Sequence, residues 1–227
     1  MAFADLFERA AALGGDPDET DVRRALDDVR SAPGAGGDHG GEVDSASDEA
    51  SDDESAVADP LDPSPARVVV DADALAADLF LGGDAREALD ALRSHAWTTL
   101  VASDPLLDDA EAVIGSLSDA DLAADWRAAV EEWREPVAQP AGDHPALASA
   151  YRGGAMQVVS LDPSLTGPRA AAGLRDRLPV SVREPRAFAT VFDPAKLYPD
   201  AVGGEYPGPD RDPRTMAPPP ADGDQHR

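Results

Sequence analysis

Residues 68–80 read VVVDADALAADLF. Three consecutive β-branched residues form a continuous apolar run, the pattern of a strand buried on both faces. Behind Asp71 the period changes, and Leu75, Leu79 and Phe80 fall at helical spacing, so the chain passes from strand directly into helix. A buried strand followed at once by a helix opens a parallel α/β sheet. Asp71 stands at the carboxyl end of that strand, where sites form in open parallel sheets.

The alternation continues downstream. Gly82-Gly83 breaks the first helix, and Asp84 is placed to cap another that carries Ala88, Leu89 and Leu92. Residues 97–102, WTTLVA, predict a second strand. Helices are expected near 104–115 and near 118–134, the latter with Leu122, Trp126, Val130 and Trp133, and at 144–152, where Gly153-Gly154 stops the run. MQVVS at 156–160 predicts a third strand, 168–177 a helix and PVSV at 179–182 a fourth strand. The expected fold is of the α/β class, three layers α/β/α, with a mainly parallel sheet of about four to five strands.

Upstream, Phe3, Leu6, Phe7, Ala10 and Leu13 recur at helical spacing, and Thr20 is placed to cap a second helix carrying Val22, Ala25, Leu26 and Val29. Two such helices bury too little to stand alone, so residues 1–31 should dock on the main domain or on a partner. Residues 32–65 are rich in Gly, Ser, Asp, Glu and Pro and nearly empty of large apolar groups; burial there cannot offset ordering entropy, which predicts a disordered acidic linker. The domain is expected at 66–199. Residues 200–227, rich in Gly, Pro and Asp, are expected to form a disordered tail.

Of 227 residues, 45 are acidic and 19 basic, a formal net charge of −26, and Lys196 is the sole lysine. An acid excess that extends through the folded-looking region suits a halophilic protein, since at molar ionic strength charge repulsion is screened over about 3 Å. Such a charge argues against a broad electrostatic grip on nucleic acid, though not against a local arginine patch. Cysteine is absent, which removes disulfides, a thiol nucleophile and thiolate-bound zinc. No apolar run approaches the ~18 residues of a membrane span, and the N-terminus MAFADLFERA lacks a basic signal-peptide start. A cytoplasmic protein with no membrane partner is expected.

Four acids are candidates for chemistry. Asp71 and Asp162 follow strands, Asp109 lies on the helix after the second strand beside Asp108 and Glu111, and Asp143 opens a helix. Each also has a plain structural reading: Asp71 and Asp143 as helix caps, Asp109 as a solvated helix acid, Asp162-Pro163 as a turn. Their order is more specific than any one of them. VVVDADALAADLF, ASDPLLDDAEAVIG at 102–115, DHPALASAYRGGAMQVVSLD at 143–162 and LPVSVREPRAFATVFDP at 178–194 together resemble the PIN-domain family over about 66–199. The third segment is the most recognisable: an acid, a helix of small residues, a glycine turn, a strand, and a hydroxyl residue two places before another acid. Asp109 stands where the family usually has Glu, and Asp108 and Glu111 compete with it for that role.

The resemblance implies that Asp71, Asp109, Asp143 and Asp162 bind Mg²⁺ or Mn²⁺, supported by Ser160 and Asp73. Hard divalent cations take oxygen ligands and keep waters, and a metal so held activates water for displacement at phosphorus. The activity implied is that of a metal-dependent ribonuclease acting on RNA. His144 is a candidate proton-transfer group, Arg152, Arg169 and Arg175 are candidate phosphate contacts, and Trp97, Trp126 and Trp133 read as packing residues. A PIN-like domain can also serve as a catalytically silent binding or scaffold module, with the N-terminal helices offering a surface for a protein partner, a homodimer included. Asp71-Ala72-Asp73 is also similar to the start of haloacid-dehalogenase-type phosphatases. That family needs a later lysine for phosphate, and Lys196 follows the last strand.

Overall fold

Residues 64–70, the segment that enters VVVD, form strand β1 (Ser64–Val70) at the centre of the sheet in a computed structural model of the chain. The structure describes residues 1–13, 15, 17–32, 59–140, 142–175 and 179–218. The expected linker therefore lies, over 33–58, outside the described residues. Val68, Val69 and Val70 are fully buried, as a run flanked by strands on both sides and helices on both faces requires.

Helices α3 (Ala72–Phe80) and α4 (Gly83–Arg93) lead to β2 (Thr99–Ala102). Then come α5 (Asp104–Leu117), α6 (Ala120–Glu131), β3 (Arg134–Pro136), α7 (Pro145–Arg152) and β4 (Ala155–Val159). The chain continues through α8 (Pro163–Thr166), α9 (Pro168–Arg175), β5 (Ser181–Arg183), α10 (Pro185–Val191) and α11 (Pro194–Ala201). The five strands are all parallel, in the order β3-β2-β1-β4-β5. Connections lead outward from β1 to β2 and β3, then back across the sheet to β4 and β5. Right-handed crossovers carry the outward connections over one face and the return to β4 over the other, which gives the expected three-layer α/β/α architecture.

Several boundaries differ from expectation for local reasons. The second strand starts at Thr99 because Thr98 Oγ1 donates back to the Leu92 and His95 carbonyls, at 2.7 and 2.9 Å. Strand β3 was not expected: it has three residues, two of them charged, and is recognisable only by its register with β2. Gly82, at φ 66°, precedes α4 as its cap with no side-chain bond, so Asp84 does not cap it. At the turn from α7 to β4, Gly154 has φ 62°, and a Cβ there would collide with the Asp62 carbonyl. The chain entering β1 is tied at this point, Ser64 N–H donating to the Gly154 carbonyl at 2.8 Å.

The N-terminal helices dock on the domain itself. In α1 (Phe3–Leu13), Phe3 and Leu6 are buried. The Arg86 guanidinium lies 3.1 Å from the Phe7 ring centre and that of Arg93 lies 4.6 Å from Phe3. Arg93 is itself fully buried and doubly bonded to Asp78, at 3.0 and 2.8 Å. In α2 (Glu19–Ser31), Asp18 rather than Thr20 caps the helix and forms a capping box with Asp21. Val22 and Leu26 enter the core, where the helix packs on α3 and α5.

The C-terminal region also differs from a disordered tail. Helix α11 runs past Pro199 to Ala201, and the chain to residue 218 is irregular but tied down. Tyr206 O–H donates to His95 Nε2 at 2.6 Å. Ala96 N–H donates to Asp210 Oδ1 at 2.6 Å, and Ala4 N–H donates to the Arg214 carbonyl at 3.0 Å. A few polar anchors, one of them to the buried His95, hold this segment without an apolar run of its own. Trp126 is buried, Trp133 meets Phe3 edge-on and Trp97 stacks on Phe192, so all three pack as expected. No helix among the described residues is long and apolar enough to cross a membrane.

Candidate functional site

Strand register builds the centre. Val70 of β1 stands opposite Val159 of β4, so the next residues, Asp71 and Ser160, emerge side by side at the carboxyl ends of the two strands. Asp71 then turns the chain into α3, and its Oδ1 accepts from Ala72 N–H at 2.9 Å. Ser160 Oγ lies 3.1 Å from Asp71 Oδ2 and 3.3 Å from Asp73 Oδ2, and it accepts from Asp162 N–H at 3.0 Å. Asp73, one step into α3, accepts from Ala74 N–H at 2.6 Å and from Leu161 N–H at 3.0 Å. Asp71, Asp73 and Ser160 have no exposed surface.

A cation closes this centre, and it comes from the N-terminal segment. Arg30, in the last turn of α2, places Nη2 3.0 Å from Asp71 Oδ1 and Nε 2.8 Å from Asp109 Oδ2. Its Nη1 lies 3.3 Å from His144 Nε2. The guanidinium has no acceptor, so Nε2 accepts and the neutral imidazole carries its proton on Nδ1. Sequence reading missed Arg30, yet a signal was present. Val22, Leu26 and Arg30 recur every four residues, which puts the arginine on the buried face of its helix. A charge that continues an apolar stripe needs a buried partner.

The electrostatics follow from this crowding. Burial, and next the charge of Asp71, push the Asp73 carboxyl well above the ordinary value, and its backbone donors oppose them only in part. Asp73 is therefore disposed to keep a proton, which can be donated to Ser160 Oγ while Ser160 donates to Asp71. Burial lowers His144, and Arg30 adds to the effect against the pull of Asp71, Asp162 and Asp109. Burial also works against the charge of Arg30, but Asp71 and Asp109 outweigh it and hold the guanidinium more firmly protonated.

Of the acids singled out, the structure brings together Asp71, Asp73 and Asp109. It also separates Asp109 from its neighbours: Asp108 and Glu111 face Arg127, at 2.7 and 3.7 Å, while Asp109 faces Arg30. Asp162 lies at the rim and spends its oxygens on capping α8, accepting from Ser164 N–H and Oγ at 2.7 Å each. Asp143 is exposed, and His144 rather than Asp143 occupies the cap of α7. Among the described residues no hydrogen bond or ion pair ties the Asp143 carboxylate to the centre, and no three His, Asp or Glu side chains are arranged to hold one metal ion. The expected cage of four carboxylates is thus not formed as arranged, because a guanidinium stands between Asp71 and Asp109 and a helix cap engages Asp162.

The other candidates lie elsewhere. Arg152 reaches over the Tyr151 ring, Arg169 is exposed, and the side chain of Arg175 lies outside the described residues. Lys196 pairs with Asp193 at 2.8 Å on the exposed face of α11, which does not supply the phosphate-binding lysine of the phosphatase reading.

No curated protein and no solved structure matches the chain. A family model described as a family of unknown function, DUF7384, matches residues 62–214, and the chain belongs to that family.

Proposed function

We propose that the chain is a PIN-like domain whose centre belongs to the class that hydrolyses RNA phosphodiester bonds. The observation that carries this reading is one cluster at the carboxyl ends of β1 and β4, in which Arg30 joins Asp71 to Asp109 and Ser160 joins Asp71 to Asp73. Asp71, Asp73, Asp109 and Ser160 are four of the six positions that the resemblance implies. The parallel sheet with helices on both faces supports it as well. A cluster of buried carboxylates disfavours its own ionisation unless a cation compensates, and it persists only where one is supplied.

The metal that the resemblance implies does not fit the residues as they stand. Their chemistry, hard oxygen anions beside a hydroxyl, suits Mg²⁺ or Mn²⁺. Their arrangement does not, since Arg30 takes Asp71 and Asp109 and Ser164 takes Asp162. The chain's own groups do the following. Ser160 fixes the Asp71 carboxylate, Asp73 stores a proton one hydrogen bond away, and His144 presents a neutral imidazole beside them.

The Arg30 pairing favours a second reading, a silent PIN-like binding or scaffold module whose acids are permanently neutralised. Labelled single-stranded RNA, incubated with the purified full chain at molar KCl in Mn²⁺ or in EDTA, separates the two. Cleavage in Mn²⁺ that EDTA abolishes supports the nuclease. Intact RNA in both, with wild type and Arg30→Met alike, leaves the module.

A further inference from the structure

The last turn of α2 puts every nitrogen of the Arg30 guanidinium to use, each on a different element: Asp71 at the β1–α3 junction, Asp109 on α5 and His144 at the start of α7. We infer that Arg30 is a built-in cationic plug, which occupies the carboxylate centre and competes with an external divalent cation for the same oxygens. The inference rests on the PIN-like reading of that centre.

Three further observations carry it. The plug comes from outside the family unit: Arg30 precedes residues 62–214, whereas Asp71, Asp73, Asp109, His144 and Ser160 all lie within them. The centre is therefore complete in the family region, and α2 is laid over it. Next, α2 is anchored upstream of the plug. Its capping box fixes the first turn, and Val22 and Leu26 supply its buried residues. Arg30 lies one turn beyond Leu26, on the final turn, and its side chain keeps 24 % of its surface exposed. Val22 and Leu26 lie upstream of that turn, so lifting it leaves both in the core and moves the half-buried Val29.

Finally, there is room beside the plug. A cleft of about 390 Å³ opens between α2 and the strand ends, lined by Arg23, Arg24, Asp27 and Arg30 on one side and by Asp73 and Asp162 on the other. Once Arg30 leaves, Asp71 and Asp109 face each other without compensation, and the emptied centre becomes more avid for a cation than the closed one. The same contact thus keeps the acids stable without a metal and keeps a metal out.

The test is calorimetric titration of MnCl₂ into the full chain, wild type against Arg30→Met. Removal of a plug that is closed in nine molecules of ten or more should tighten Mn²⁺ binding by about tenfold or more. Equal affinity in the two proteins, or no binding in either, overturns the plug. Should Arg30→Met fail to fold by circular dichroism, Arg30→Gln replaces it. Hydrogen exchange on the wild type gives an independent reading: saturating Mn²⁺ should speed exchange at 27–32 and leave 20–26 protected, and unchanged protection at 27–32 counts against the plug. An RNA-cleavage arm keeps the two proposals apart. Tighter Mn²⁺ binding by Arg30→Met with no cleavage retains the plug and removes the nuclease. Mn²⁺-dependent cleavage by the wild type, with equal affinity in the variant, does the reverse.

Discussion

Arg30 Nη2 lies 3.0 Å from Asp71 Oδ1, and the two residues are separated by 41 positions in the chain. Asp71 is completely buried while the Arg30 side chain keeps 24 % of its surface. The contact thus joins an inner acid to a cation that still reaches solvent. Asp109 completes the pairing from a more open position, its side chain 16 % exposed.

That asymmetry orders two substitutions. Asp71→Asn leaves the guanidinium without its buried partner and should cost about 2–4 kcal/mol. Asp109→Asn, where water can replace the lost oxygen, should cost about 1 kcal/mol or less. Urea denaturation of both variants at the same salt checks the order, and a larger loss for Asp109→Asn would contradict this account of the centre.

Asp73 gives a pH dependence of defined sign. Its carboxyl is raised above the ordinary 3.8 by burial and then by Asp71. Its contribution to stability is therefore fully present below that value and is lost as pH rises through the folded-state value. The stability of wild type relative to Asp73→Asn should fall as pH increases from about 4. Urea melts of both proteins across that range read the difference, and a wild type that gains stability relative to Asp73→Asn as pH rises would reverse the assignment. In an Asp71→Asn background burial still raises Asp73, but the slope should shrink because the added effect of the Asp71 charge is gone.

Asp162→Asn separates capping from chemistry. Asparagine caps a helix nearly as well as aspartate, so the melting behaviour should change by under about 1 kcal/mol. On the nuclease reading the same substitution abolishes Mn²⁺-dependent RNA cleavage. Retained cleavage would take Asp162 out of the reaction while leaving its place at the start of α8 intact.

Gly154→Ala probes the fold away from the centre. A methyl at φ 62° is strained, and here it also runs into the Asp62 carbonyl. Loss of about 2–4 kcal/mol is expected. Gly173→Ala, with open space around the Cβ position, should change stability by less than about 1 kcal/mol and serves as the control.

The strand–helix alternation was legible in the sequence because its signals are local. Three valines in a row and Leu75, Leu79 and Phe80 behind them state their period within one segment, and Asp71 falls at a strand end by position alone. The family resemblance pointed to Asp109, but nothing in the sequence said why Asp108 and Glu111 differ from it. That distinction depends on which way each side chain leaves α5, toward Arg30 or toward Arg127. Strand β3 and the anchored segment after α11 escaped notice because their order comes from partners distant in sequence, the register with β2 and the bonds to His95, Ala96 and Ala4. The sequence by itself determined the kind of fold and placed acids at strand ends, since backbone period and chain direction require no knowledge of distant neighbours. Only the tertiary structure decided what those acids hold, because a buried carboxylate takes the nearest cation in space, and here that cation is carried by a helix 41 residues away in the chain.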